Sequence, residues 1–114
     1  MFNYTQQDES TLEFVEIAPL SELPNGERMF VEIDGKPVVI FNIAGNLYAL
    51  GDVCTHDDGP VGEGELEGYV VTCPRHGAKF DVRNGQVVQM PAVVDIPAYP
   101  VRLENEMIKI GIPK

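Results

Sequence analysis

Two cysteines and two histidines are the residues of this chain whose types and spacing could bind a metal. They are all the Cys and His in the sequence, arranged as Cys54-x-His56 and, after sixteen further residues, Cys73-x2-His76. Thiolates and imidazoles together favour a transition metal or an iron–sulfur site. Two loops lying side by side could offer Cys54 and Cys73 to one iron and the two histidines to another. A disulfide would leave both histidines unexplained.

A tetrahedral zinc site is the alternative use of the same four side chains, because two Cys and two His also suit Zn²⁺. Structural zinc usually takes the place of a hydrophobic core in short chains. This chain has 114 residues, of which 44% are hydrophobic, so it can build a core of its own. Composition therefore disfavours the zinc-stabilised structural domain and leaves it as an alternative.

The sequence around the four positions resembles the two cluster-binding boxes of Rieske [2Fe–2S] proteins, and the spacing is that of the small Rieske ferredoxins. The resemblance rests on Cys54-Thr55-His56, on Cys73-Pro74-Arg75-His76-Gly77, and on the flanking segments 62–68 and 80–85. It covers roughly residues 12–112. It implies one Rieske-type [2Fe–2S] cluster, bound by Cys54, His56, Cys73 and His76.

The resemblance also implies a function, which is to carry single electrons without any catalytic residue. A small Rieske ferredoxin typically takes electrons from a flavin-dependent reductase and passes them to a terminal, ring-hydroxylating-type oxygenase. We expect transient complexes formed around the exposed edges of His56 and His76, and a monomeric protein. Besides the zinc domain, two alternatives remain: a non-catalytic small subunit fixed in a multi-subunit oxidoreductase, and a redox-sensing binding module.

The features that raise the potential of respiratory Rieske proteins are missing here. Those relatives carry an inter-loop disulfide and two hydroxyl groups, and the corresponding positions of this sequence are Gly59 and Arg75, and Ala78 and Phe80. Fewer hydrogen-bond donors to the sulfurs stabilise the reduced state less. The sequence therefore predicts a midpoint potential near the low end of the Rieske range, around −150 mV.

The charge of the chain limits its partners. With 18 acidic against 8 basic residues the formal net charge is −10, whereas nucleic-acid and anionic membrane surfaces attract basic patches. No apolar run approaches the roughly 18–20 residues of a membrane span. The first ten residues lack the basic start and apolar middle of a signal peptide. We expect a cytoplasmic protein that binds neither nucleic acid nor membrane, steered toward a basic patch on its redox partner.

Alternating apolar residues and tight turns predict an all-β chain. The ligand pairs fall in two loops, 52–64 and 73–79, and the proline-rich stretch 90–100 excludes a central strand. The predicted strands are 12–17, 28–33, 36–43, 47–50, 69–72, 80–83, 86–89, 99–103 and 107–110.

One domain is predicted for residues 12–114, after a short flexible tail over residues 1–11. For that domain the family resemblance implies an antiparallel β-sandwich. A small cluster-binding subdomain would lie at its tip and carry both ligand loops.

Overall fold

The computed structural model of the chain describes residues 3–6, 8–53, 60–74, 77–90 and 94–114. Within these ranges the regular structure consists of β-strands and three short 3-10 turns, which confirms the all-β class. No helix in the described part of the chain is long and apolar enough to cross a membrane. In order, the strands are β1 (Leu12–Pro19), β2 (Arg28–Ile33), β3 (Lys36–Ile43), β4 (Asn46–Gly51), β5 (Glu65–Glu67), β6 (Val70–Thr72), β7 (Lys79–Asp81), β8 (Val87–Gln89), β9 (Ala98–Tyr99), β10 (Val101–Glu104) and β11 (Met107–Pro113).

Three antiparallel sheets make up the fold. A three-stranded sheet has the order β1-β11-β10, a four-stranded middle sheet has the order β2-β3-β4-β9, and a second four-stranded sheet has the order β5-β6-β7-β8. The last sheet carries the second ligand loop between β6 and β7, so it is called the ligand sheet below. The antiparallel layers agree with the predicted sandwich.

The middle sheet is covered on both faces, because successive side chains of a strand point to opposite sides. Val38 and Ile40 of β3 enter the core shared with the three-stranded sheet. Val39 and Phe41 enter a second core, shared with the ligand sheet. All four side chains are at most 1% exposed. The apolar run from Val38 to Phe41 is thus buried on both faces of the sheet.

The ligand sheet is inserted between two neighbouring strands of the middle sheet. The chain leaves β4 and returns as β9, and these strands pair through Ala49 with Tyr99 and Leu50 with Ala98. Just beyond the pair, the Gly51 amide donates to the Pro97 carbonyl at 2.8 Å. The middle sheet and the three-stranded sheet are together called the base below. The whole ligand-bearing segment therefore begins and ends at one narrow place on the base.

The ends of several predicted strands differ by one to three residues from the observed ends, and two features of the strand prediction are wrong. The strand predicted over 99–103 is divided at Pro100 into β9 and β10, which belong to different sheets. Proline has no amide proton for the ladder, so the chain changes sheets there. The short strand β5 was not predicted, because its sequence Glu65-Leu66-Glu67 contains a single apolar residue.

The first residues of the chain contact the domain. Asn3 forms a parallel bridge with Ala98, and the Tyr4 ring stacks on Tyr99 with centroids 5.3 Å apart. The division into a tail over residues 1–11 and a domain over 12–114 stays a prediction, although β1 begins at Leu12.

Candidate metal centre

Cys73 is the one predicted ligand that the described residues include. It directly follows β6, and its side chain is 1% exposed within the core shared by the middle sheet and the ligand sheet. Cys54, His56 and His76 lie outside the described residues. Within the described ranges no three His, Cys, Asp or Glu side chains come together. The complete four-ligand set therefore stays a prediction.

The loop that starts at Cys73 is closed by its own backbone. The Cys73 amide donates to the Ala78 carbonyl at 2.7 Å, and the Gly77 amide donates to the Cys73 carbonyl at 3.2 Å. Gly77 has φ +79°, a left-handed conformation that glycine adopts without strain, and the space around its α-carbon is open. Gly77 is therefore needed for its backbone conformation rather than for lack of space.

Two side chains buried in the same core as Cys73 are apolar. Ala78 and Phe80 are both 0% exposed and belong to the same core as Cys73. Neither side chain has a hydroxyl group, so neither can donate a hydrogen bond to a sulfur atom. A buried thiol among such neighbours suits a soft metal or an iron–sulfur cluster better than a solvated hard cation.

The segment that returns from the first ligand loop is held by Asp52. One carboxylate oxygen of Asp52 accepts the Val61 amide at 3.0 Å and the Gly62 amide at 2.6 Å. The Asp52 amide in turn donates to the Pro37 carbonyl at 2.9 Å. The two ends of the first loop, just before residue 54 and just after residue 59, are thereby joined to each other and to the middle sheet.

The same segment contacts the backbone that leads into the second loop. Gly64 donates its amide to the Val61 carbonyl at 3.0 Å, and an added β-carbon on Gly64 would lie 1.7 Å from the Thr72 carbonyl oxygen. Thr72 immediately precedes Cys73. The bases of the two ligand loops therefore touch, which is the arrangement that the ligand spacing predicts.

An aromatic and ionic group joins the ligand sheet to the base. Tyr69 packs edge-on against Tyr48 of β4 with centroids 5.8 Å apart, and the Arg83 guanidinium lies 4.5 Å from the centre of the Tyr69 ring. Arg83 also pairs with Asp81 at 2.9 Å, and these hydrogen bonds lower the pKa of the Asp81 carboxyl. Burial, with Tyr69 nearby, raises the pKa of Tyr48. The sequence reading did not identify this group.

The described residues fit the cluster that the resemblance implies. The donor group is a buried thiol, the ends of the first loop are joined through Asp52, and Gly64 lies against the carbonyl group of Thr72 at the start of the second loop. Cys73 with the three ligands outside the described residues would bind the two irons. The polypeptide around Cys73 keeps water away from it.

Known proteins share this sequence pattern and fold. A family model, the Rieske [2Fe-2S] domain, matches residues 13–100. The ferredoxin component of the naphthalene 1,2-dioxygenase/salicylate 5-hydroxylase systems of a Ralstonia species is 33% identical over 100 residues, which are 88% of this chain and 96% of that protein.

Solved structures give the same result. The ferredoxin of carbazole 1,9a-dioxygenase from Nocardioides aromaticivorans IC177 matches with a TM-score of 0.81 and 28% identity, over 89% of this chain and 98% of that one. A chain from the complex of reduced oxygenase and oxidized ferredoxin in carbazole 1,9a-dioxygenase matches with a TM-score of 0.81 and 26% identity, over 89% and 94%. This chain therefore belongs to the Rieske [2Fe–2S] domain family, as a ferredoxin that carries electrons on one such cluster and is not itself a catalyst.

Proposed function

We propose that this ferredoxin accepts single electrons from a flavin-dependent reductase and delivers them to the terminal oxygenase of a ring-hydroxylating system. The observation that carries the proposal is the buried Cys73 in a closed loop, placed against the returning segment of the first ligand loop. Relatives that are ferredoxin components of dioxygenase systems support the assignment of partners, as does a related ferredoxin in complex with its oxygenase.

The ligands proposed for the cluster are Cys54, His56, Cys73 and His76. A bound [2Fe–2S] cluster supplies reversible uptake of one electron. The residues of the chain determine where this takes place and in what surroundings. Cys73 offers a thiolate from a buried loop, and the apolar side chains beside it exclude water from that side.

The surroundings of Cys73 support a low midpoint potential, around −150 mV. Ala78 and Phe80 stand at the positions where high-potential relatives carry hydroxyl groups, and both side chains are fully buried in the core. A loop without those donors stabilises the added electron less. A measured midpoint above roughly +100 mV would contradict this part of the proposal.

We further propose a monomer in the cytoplasm, with its folded domain over residues 12–114. Two cysteines that both serve as thiolate ligands suit a reducing compartment, where disulfides are rare. A net charge of −10 supports transient docking to a basic surface on each partner. Size-exclusion chromatography tests the monomer, and co-purification with a large subunit would favour the fixed-subunit alternative.

The decisive experiment is spectroscopy of the purified protein. We expect a red-brown protein with two irons and two sulfides per chain, and an EPR signal of a His-ligated cluster after reduction. The His56→Ala and His76→Ala variants should lose that signal while circular dichroism retains the β spectrum. A colourless wild-type protein with one zinc per chain would establish the zinc domain instead.

The partners are tested by electron transfer. The oxidised protein is mixed with a flavin-dependent reductase and NADH, and its reduction is followed by absorption. The reduced protein is then mixed with a terminal oxygenase from a naphthalene dioxygenase system. Single-electron transfer in both steps is the expected result, and a protein that is reduced but cannot pass its electron to any Rieske oxygenase would contradict the assigned acceptor.

A further inference from the structure

Arg28 lies in the base of the molecule, but its side chain reaches the segment that returns from the first ligand loop. Its Nη1 atom donates to the Gly62 carbonyl at 2.5 Å and to the Gly64 carbonyl at 2.7 Å. The guanidinium also lies 5.3 Å from the centre of the Phe41 ring. Arg28 and Phe41 are register partners on adjacent strands, so both side chains point toward the ligand sheet.

The contacts of Arg28 complement those of Asp52. Arg28 binds two carbonyl groups of the segment 61–64, and Asp52 binds two amides of the same segment. The positive side chain thus binds backbone carbonyl groups, and the negative side chain binds backbone amides, within the same four consecutive residues. We call Arg28 and Asp52 together the clamp.

The clamp acts at the place where the two ligand loops meet. Gly62 has no room for a side chain, since an added β-carbon would lie 2.8 Å from Phe30 and 2.9 Å from Val39. Gly64 lies against the carbonyl of Thr72, the residue before Cys73. A displacement of the segment 61–64 would therefore move the end of the first loop relative to Cys73.

We infer that Arg28 is a positioning residue for the metal centre. With Asp52 it fixes the returning segment of the first ligand loop against the start of the second, and thereby sets the distance between the two pairs of ligands. The inference rests on the proposed ligand set. Arg28 belongs to the middle sheet, which has its own core on the far side.

The test compares Arg28→Met with Arg102→Met. Both substitutions remove one positive charge and one arginine stacked on a phenylalanine, since Arg102 lies 4.0 Å from the centre of the Phe14 ring. Arg102, however, pairs with Glu9 and Glu104, outside the ligand sheet. The measurements are the rate of cluster release to an iron chelator and the EPR line width of the reduced protein.

We expect cluster release from Arg28→Met to be about tenfold faster than from the wild type, equivalent to about 1.4 kcal/mol, with broadened EPR lines. Arg102→Met should keep the wild-type EPR lines and a release rate within about twofold, which corresponds to about 0.4 kcal/mol. Arg28→Lys keeps the charge and one flexible donor group, so its rate of cluster release should lie between those of the wild type and Arg28→Met.

A second measurement does not depend on the cluster. Hydrogen exchange of the amides of Val61, Gly62 and Gly64 should accelerate in Arg28→Met and remain at wild-type rates in Arg102→Met. A red-brown Arg28→Met protein with wild-type release, EPR lines and exchange would overturn the inference and leave the proposed function intact. A wild-type protein without any [2Fe–2S] cluster would overturn both.

Discussion

Replacing Gly64 by alanine tests whether the two ligand loops depend on close backbone contact. Gly64 needs no left-handed φ, so the only obstacle to a side chain is space. The added β-carbon would lie 1.7 Å from the Thr72 carbonyl oxygen, where real β-carbons keep at least 3.0 Å. The two strands of backbone must therefore separate by 3.0 − 1.7 = 1.3 Å or more.

The loss of folding stability expected for Gly64→Ala depends on whether the atoms around the added β-carbon can move away. Both sides of the contact are backbone, and a second neighbour, the Val61 carbonyl oxygen, lies 3.2 Å from the added carbon. Overpacking costs about 1–3 kcal/mol, and a contact without a flexible partner belongs at the upper end. About 3 kcal/mol reduces the ratio of folded to unfolded protein by a factor of about 150. Because the displaced backbone leads into Cys73, the cluster content should fall as well.

The assay combines urea unfolding, followed by circular dichroism, with iron and sulfide content per chain. Gly51→Ala is the matched control, because the nearest atom to its added carbon is the Pro97 Cδ atom at an ordinary 3.4 Å. Gly51 also lies close to the first ligand loop, three residues before Cys54. Wild-type stability and a full cluster in Gly64→Ala would refute the reasoning that the loops meet at this contact.

Four further results are expected. Ala78→Ser adds a hydroxyl beside Cys73, and one hydrogen bond of about 1 kcal/mol would raise the midpoint potential by about 40 mV in a potentiometric titration. Hydrogen bonds from Arg83 lower the pKa of Asp81, so its carboxylate stabilises the fold above the usual carboxyl pKa of about 4. The stability that wild type has over Asp81→Asn should therefore decrease as urea unfolding is repeated at pH values from 6 down to 3. A chain lacking residues 1–11 should keep its cluster and lose at least about 0.5–1.5 kcal/mol, the contribution of the Tyr4–Tyr99 stack, measured by urea unfolding. The rate of reduction by the reductase should fall as ionic strength rises from about 10 to 200 mM, because salt screens the attraction of an acidic protein to a basic surface.

Each of these results has a control or an outcome that contradicts it. Ala98→Ser introduces a hydroxyl into the same core but in β9, so an equal rise in potential would exclude a local effect at Cys73. If the difference in stability between wild type and Asp81→Asn does not change with pH, folding does not lower the pKa of Asp81 and the prediction is contradicted. Loss of the cluster in the shortened chain would contradict the domain boundary, and a salt-independent reduction rate would contradict steering.

The strands that sequence reasoning located best are those with a turn that fixes their register. Asp34 and Gly35 have φ of +54° and +77°, the conformation that an Asp-Gly hairpin predicts, and β2 and β3 have the predicted bounds on either side. β5 was not predicted because its three residues include a single apolar side chain, which is too short a pattern to indicate a strand. It is a strand through its pairing with β6. Local pattern is a weak guide where tertiary pairing decides.

The candidate site divides in the same way. The four ligands could be proposed from the sequence because Cys and His residues at a fixed spacing carry their chemistry in their residue types. Arg28 was missed because its partners are backbone carbonyls 34 and 36 residues away, which leave no trace in local sequence. Gly62 and Gly64 were visible in the sequence as glycines close to the first ligand loop. Only the fold shows that both are needed for space, because an added β-carbon would contact Phe30 and Val39 at Gly62 and the Thr72 carbonyl at Gly64.

The narrow connection between Gly51 and Pro97 has an evolutionary consequence. The hydrogen bond from Gly51 to Pro97 continues the pairing of β4 with β9, so the inserted chain leaves and rejoins the base at neighbouring strands. The base can thus tolerate insertions and deletions in the segment 52–97 without changing its own topology, provided that the replacement covers the same face of the middle sheet. If the segment 52–97 is exchanged between related ferredoxins, the midpoint potential of the donor protein is expected to be transferred with it, while the rest of the chain is retained.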